Sequence, residues 1–348
     1  DCHVHVITPV TETLPFEINK KVLKPGLDVF LDHAPVGLRH PQKQATFRLS
    51  SAVLRGFRSS LTEQGFTEIQ TPKLVGTATE SGANVFAVDY FQQHAYLAQS
   101  PQFYKQTMVG VFERVFEVGP VFRAEPHSTT RHINQYTSLD AEMGFIRDHR
   151  DVMAVLTNVL RHIVRSLKGY ARELELVNAP KLPTIPASIP AIKFREAQAI
   201  ILAQFGEDCH TETDLSPQHE RWLCRWALET HGSELLFVTH YPTSKRPFYT
   251  MPDPEDPEHT HSFDLLFRGM EIVTGGQRVH RYDQLLEHLA RWNLSPDLVS
   301  GYLEAFRYGM PPHGGFGMGA ERLTQMLVGA SNLRETTLFP RDIKRLAP

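Results

Sequence analysis

Residues 122–142, FRAEPHSTTRHINQYTSLDAE, hold an unusual density of groups that can do chemistry. Arg123 and Glu125 are two apart, so on a strand they share a face. A guanidinium beside a carboxylate suits a ligand with both anionic and donor groups. ATP is such a ligand: phosphate for the arginine, the adenine amino group for the glutamate. A cross-strand surface ion pair is the plainer reading of that pair alone. A polar loop follows with Arg131 and His132, then Tyr136, Asp140 and Glu142. A second segment, GGFGMGAERL (314–323), places glycines where a backbone must approach something closely and ends with Arg322 at a helix start. It lacks the Lys-Ser/Thr of a phosphate loop and is no dinucleotide fingerprint.

These groups need elements to position them, and the chain can supply them. It has 348 residues, 41% hydrophobic and 22% charged, which excludes a wholly disordered chain and allows a sizeable core. At roughly 150 residues per domain this is two domains or one large one. The net charge of −3 excludes a globally basic nucleic-acid binder but not a local patch. No apolar run is long enough to span a bilayer. Three cysteines, odd in number and scattered, fit a reducing cytosol better than a disulfide framework.

Leu49, Val53, Leu54, Phe57 and Leu61 recur at steps of three and four and predict a helix. GFTEIQTPKLV (65–75) reads as a loop and a strand ending near Pro72. AYLAQ, RVFEVGPVF and YTSLDAEMGF read as strands, and residues 150–175 return to helical spacing. The proline-rich stretch 176–260, with helices at REAQAIILAQF and PQHERWLCRWALETH, reads as an insertion or subdomain. Strand character resumes at 262–274, helices follow at 283–291 and 296–308, and the glycine-rich strand runs into a helix from Ala320. The first ten residues alternate like a half-buried strand whose partner is missing. The pattern predicts an α+β domain on a largely antiparallel sheet flanked by helices.

GFTEIQTPKLV, FRAEPHSTTRHINQYTSLDAE and GGFGMGAERL together resemble, in order and spacing, the three signature motifs of class II aminoacyl-tRNA synthetases. The resemblance runs from about residue 45 to the C-terminus. TATESG, QSPQFYKQ, RPFYTMP, SFDLLFRGMEI and LFPRDIKRLAP are similar to the aspartyl branch in its archaeal-type form. The resemblance implies a class II catalytic domain over 45–348. Residues 1–44 then look like the end of an N-terminal OB-fold and its hinge, with the rest of the OB-fold missing from this chain. The implied activity is that of an aspartate–tRNA ligase. It activates L-aspartate with ATP and Mg²⁺, then transfers it to tRNA(Asp), with tRNA(Asn) an open second acceptor. A cytoplasmic homodimer is implied, with Pro72 in the motif that builds the dimer interface.

Carried over residue by residue, Arg123 holds the α-phosphate and the substrate carboxylate, and Glu125 reads the adenine amino group. Arg131 and His132 meet the outer phosphates and the acceptor end of tRNA. Tyr136 stacks on one face of adenine; Arg322 covers the other and reaches the γ-phosphate, with Gly319 also at the ATP. Aspartate brings a side-chain carboxylate, so a site choosing it over asparagine must supply cations. Lys105 and Arg278 hold those positions in the branch. Glu80, Gln102 and Asp140 match the groups for the α-ammonium. Glu271 matches the metal carboxylate, with Thr274 where many relatives carry Ser; Gln135 stands where Glu is common.

Two rival readings stay open on the sequence. One is an asparagine synthetase-like amide ligase on the same core, the other a non-catalytic tRNA-binding paralogue. Cys2, His3 and His5, and separately His259 and His261, have ligand-like residue types but lack the spacing of a closed zinc site. Cys209 and Cys224 read as buried or incidental, and Trp222 and Trp226 as helix packing.

Overall fold

The structure, a computed structural model, describes residues 3–76, 85–126 and 129–347. Two short helices, α1 (Leu27–Asp32) and α2 (Ala34–Gly37), lead into the long α3 (Pro41–Glu63). α3 starts where Pro41 occupies the first helical position and the His40 ring accepts from Gln42 N at 3.3 Å. It buries Leu49, Val53, Phe57 and Leu61, the stripe its spacing predicts. It ends at Gly65, which takes a φ of +80°. The 65–75 segment forms two very short strands, β1 (Thr67–Glu68) and β2 (Leu74–Val75), rather than one strand ending at Pro72. β3 (Ala87–Tyr90) and β4 (Gln93–Leu97) complete a small sheet with β2.

The main sheet is built from β1, β5 (Arg114–Phe122), β6 (Gln135–Gly144), β7 (Ala191–Lys193), β8 (Leu235–Thr239), β9 (Ser262–Phe267), β10 (Met270–Arg278) and β11 (His313–Gly319), in the spatial order β1-β5-β6-β11-β10-β9-β8-β7. Its interior pairings are antiparallel, but β1–β5 and β7–β8 are parallel, so the sheet is mixed at both edges. Period-two alternation divides it into two faces. Leu139, Ala141, Phe316, Met318, Phe263, Leu265 and Phe237 point to one side, into a large core with α3, α5 (His149–Leu167) and α11 (Ala320–Val328). Each such large side chain contributes about 1.5–3 kcal/mol through burial. α5 begins at Asp148, whose carboxylate accepts from Arg150 N at 2.7 Å. The short α6 (Ala171–Leu176) follows it.

The opposite face carries α4 (Gln102–Phe112), α9 (Tyr282–Arg291) and α10 (Ser300–Arg307) at one end, around Val109, Val115, Tyr249 and Tyr302. At the other end α7 (Phe194–Phe205) and α8 (Pro217–His231) cover β8 and β9, with Leu236, Val238 and Leu266 against Ile201 and Leu223. Residues 176–260 thus extend the sheet by β7 and β8. Between the two helical groups the sheet is left open.

A second expectation is overturned. Residues 3–10 form no strand, and Val4, Val6, Ile7 and Val10 are exposed. Alternation alone cannot hold a strand; it needs a neighbour to accept and donate its backbone hydrogen bonds.

Candidate active site

The open stretch of sheet is lined by charges. On β6 the even residues Tyr136, Ser138, Asp140 and Glu142 share the face that β5 continues into Arg123. β11 lies beside β6 with Gly319 opposite Ser138, Gly317 opposite Asp140 and Gly315 opposite Glu142. The glycines are there for the carboxylates as much as for any ligand. A Cβ on Gly315 would collide with the Ala141 carbonyl oxygen and the Glu142 carboxylate, and one on Gly317 would sit 3.2 Å from Asp140 Oδ1.

β10 adds Thr274 and Arg278 to the same face. Between Glu271 and Val273 its register shifts by a β-bulge. Without the extra residue, Glu271 would fall on the opposite parity from Thr274 and point into the core. With it, the Thr274 hydroxyl donates to Glu271 Oε1 at 2.6 Å. Arg322, in the first turn of α11, donates to the Glu271 carbonyl at 3.2 Å.

Thirteen sequence-predicted residues, namely Gln102, Lys105, Arg123, Glu125, Arg131, His132, Tyr136, Asp140, Glu271, Thr274, Arg278, Gly319 and Arg322, line one cavity of about 400 Å³. Glu80 lies outside the described residues.

Lys105 and Arg278 are at its floor, 1% and 6% exposed, so they are not solvated surface charges. Neither cation is held in reserve. Lys105 Nζ donates to Asp140 Oδ1 at 2.9 Å and to the Phe316 carbonyl at 3.0 Å, with Glu142 Oε2 at 3.3 Å. Arg278 donates to Glu142 Oε1 at 2.9 Å and to the Gly315 carbonyl at 3.1 Å. Burial works against ionisation of Glu142, yet Arg278 and Lys105 beside it hold its carboxyl below the usual range. Two cations and two carboxylates therefore form one buried network, with Glu142 behind the cations and Asp140 facing the cavity.

Several contributors were given no role from sequence. Glu142 props the two cations from behind. Asp264, on β9 opposite Thr274, accepts from Arg246 Nη2 at 2.7 Å. Its other oxygen, Oδ1, is buried with no hydrogen-bond partner, and burial pushes the carboxyl up to about 6. Glu220 of α8 pairs with Arg131 and accepts from Glu271 N at 3.1 Å. In this structure Arg131 therefore meets a carboxylate from the 176–260 segment. For Asp264 there was a signal: a lone acid in the apolar run SFDLLF.

Glu271, Thr274 and the orphaned Asp264 oxygen bring together oxygen donors, the set that suits a hard divalent cation such as Mg²⁺. The residues present fit such an ion.

The family model described as tRNA synthetases class II (D, K and N) matches residues 27–343. An aspartate–tRNA(Asp/Asn) ligase of Thermus thermophilus is 49% identical over 99% of this chain and 81% of its own length. An aspartate–tRNA(Asp) ligase of Thermococcus kodakarensis is 42% identical over 99% and 78%. Among solved structures, asparaginyl-tRNA synthetase from Pyrococcus horikoshii, complexed with asparaginyl-adenylate, superposes with a TM-score of 0.91. It is 32% identical, over 99% of this chain and 78% of that one. With the family match running through every strand of the cavity wall, the chain belongs to the class II tRNA synthetases of the D, K and N group.

Proposed function

We propose that the protein is an aspartate–tRNA ligase, and the observation that carries this is the buried Lys105–Arg278 pair at the floor of a nucleotide-sized cavity. A dicarboxylic substrate brings the negative charge these cations match; an amide side chain does not. The names of its 42–49% identical relatives favour tRNA charging over the amide-ligase reading.

The reaction runs in two steps. An oxygen of the aspartate α-carboxylate bonds to the α-phosphorus of ATP, and pyrophosphate leaves. A terminal ribose hydroxyl of tRNA(Asp) then attacks the carbonyl carbon of the mixed anhydride, and AMP leaves. No protein nucleophile is needed, so catalysis is positioning and charge neutralisation. Lys105 and Arg278 hold the substrate side-chain carboxylate; Asp140 and Gln102, with Glu80, take the ammonium. Arg123 bridges the α-carboxylate and the α-phosphate. Glu125, Tyr136 and Arg322, beside Gly319, hold the adenine. Arg131 and His132 serve the outer phosphates, Arg131 by exchanging Glu220 for phosphate. Glu271 and Thr274, with Asp264, would hold Mg²⁺, which would supply positive charge to offset that of the phosphates.

tRNA(Asn) as a second acceptor, a homodimer and a cytoplasmic location belong to the same reading. Among the described residues no helix is long and apolar enough to cross a membrane. Aspartate-dependent ATP–pyrophosphate exchange, followed by charging of purified tRNA(Asp), tests it. Exchange driven equally by asparagine, or ammonia-dependent asparagine formation without tRNA charging, would overturn it.

A further inference from the structure

Beside the cavity, the segment between β8 and β9 folds back on itself and brings three of its own side chains together. The Nε2 atoms of His240 and His261 face the two oxygens of one buried carboxylate, Asp253, at 3.5 and 3.6 Å. The tautomers can be read from what lies behind each ring. The Thr239 hydroxyl donates to the Ile192 carbonyl at 3.2 Å, so at 2.8 Å from His240 Nδ1 it accepts that ring's proton. His261 Nδ1 lies 3.0 Å from Gln277 Oε1, which also only accepts. Both rings therefore carry their proton on Nδ1 and turn the Nε2 lone pair towards Asp253.

Three lone-pair-bearing centres thus converge with no hydrogen between them. The separations exceed a good hydrogen bond. They match instead the spacing of roughly 3.4 Å between neighbouring ligands that each lie about 2.1 Å from a tetrahedral ion. A third imidazole, His149 at the start of α5, lies 5.1 Å from the His240 ring and 5.0 Å from the His261 ring, and its Nδ1 is buried with no hydrogen-bond partner. Imidazole Nε2 backed by an Nδ1–H bond to oxygen is the arrangement that orients histidine ligands on transition metals. Sequence spacing could not show this, since the ligands stand at 240, 253 and 261 and only His261 belonged to a pair considered earlier.

We propose that His240, Asp253 and His261 bind a divalent transition-metal ion of the zinc class, with His149 or water completing the shell. This site is separate from the Glu271–Thr274 oxygen site, and two imidazoles select against Mg²⁺. Its position assigns it a structural role. The loop between His240 and His261 carries Lys245, Arg246, Tyr249 and Thr250, all of which line the cavity. An ion at this point ties that loop to the end of β8.

The test uses the full chain, stripped with a chelator and held in excess Mg²⁺, titrated with Co²⁺ and then with Zn²⁺. One Co²⁺ per chain is expected, with the intense visible absorption of a tetrahedral or five-coordinate site, displaced by one equivalent of Zn²⁺. The melting temperature should rise on loading. H240N, D253N and H261N should each weaken binding by about 100-fold or more. H259N and the oxygen-site variant E271Q should leave binding within about twofold, which separates failure here from failure of the ligase reading. Circular dichroism checks that each variant is folded. A wild-type titration giving only the faint spectrum of octahedral Co²⁺ would overturn the proposal, as would binding that the three ligand variants do not weaken.

Discussion

Replacing Lys105 with methionine keeps most of the side chain's volume and removes its charge. The lost ammonium has three partners within 3.3 Å, two of them carboxylates. Two unit charges about 4 Å apart interact by about 4 kcal/mol at an effective dielectric of 20. A substrate carboxylate docked on Lys105 loses a contribution of that order, reduced because Asp140 already shares the cation. A net loss of about 2–4 kcal/mol corresponds to a rise of about 30- to 700-fold in the aspartate requirement. Asparagine presents no net charge and loses far less, so the preference for aspartate should fall by nearly the same factor. The variant should also be less stable, by about 3–5 kcal/mol, because Asp140 is left without its cation. Pyrophosphate exchange with aspartate varied at saturating ATP, repeated with asparagine as competitor, reads the first effect; urea unfolding reads the second. Equal changes in the ATP and aspartate requirements, or an unchanged preference for aspartate, would refute the assignment of Lys105 as a specificity cation.

Arg123→Ala should cut aspartate-dependent exchange by at least about 10²–10³-fold, with the fold kept by circular dichroism; substantial residual exchange would remove it from the reacting centre. Glu271→Gln should raise the Mg²⁺ concentration for half-maximal exchange by about tenfold or more, with a smaller change in aspartate affinity. Gly315→Ala should destabilise by about 3 kcal/mol or more, since its Cβ meets a backbone carbonyl that cannot move aside, and urea unfolding measures this. Burial depresses the pKa of His313 from 6.5 to about 4. The unfolded state therefore takes up a proton first as pH falls, and this contribution to stability, full above about 6.5, is lost between there and 4. Urea unfolding of wild type and His313→Gln should differ in pH slope over that window, by on the order of 3 kcal/mol in total.

Much of the site was legible because strand parity and residue type agree. Asp140 and Glu142 alternate with Leu139, Ala141 and Met143, and that alternation already separates a charged face from a core face. The glycines of GGFGMG were legible as a close approach, but not what approaches: the Glu142 carboxylate of the neighbouring strand lies where a Gly315 Cβ would be. That information is in the pairing of β6 with β11, 173 residues apart at Glu142 and Gly315 and unavailable from local pattern. The alternation at 4–10 misled for the matching reason, since period two states which residues a strand would bury and says nothing of whether a neighbour exists.

The bulge in β10 shows how much can rest on one residue of register. Glu271 and Thr274 are three apart, an odd spacing that places two residues of a regular strand on opposite faces. Read by parity alone, one of them belongs in the core, and Ile272 and Val273, both buried, give no hint of the irregularity. The structure resolves the conflict by inserting Ile272 as the extra residue, so that Glu271 pairs with Leu266 while Val273 pairs with Leu265. The carboxylate and the hydroxyl then meet, with Asp264 opposite Thr274 across the strand pair. Oxygen donors brought to one place by a defect in the ladder, in a sheet otherwise regular from β5 to β9, are hard to account for by packing. The bulge costs a ladder position and turns a half-buried glutamate onto a face that already carries carboxylates. A cation held there, as the proposed function requires, would offset that cost.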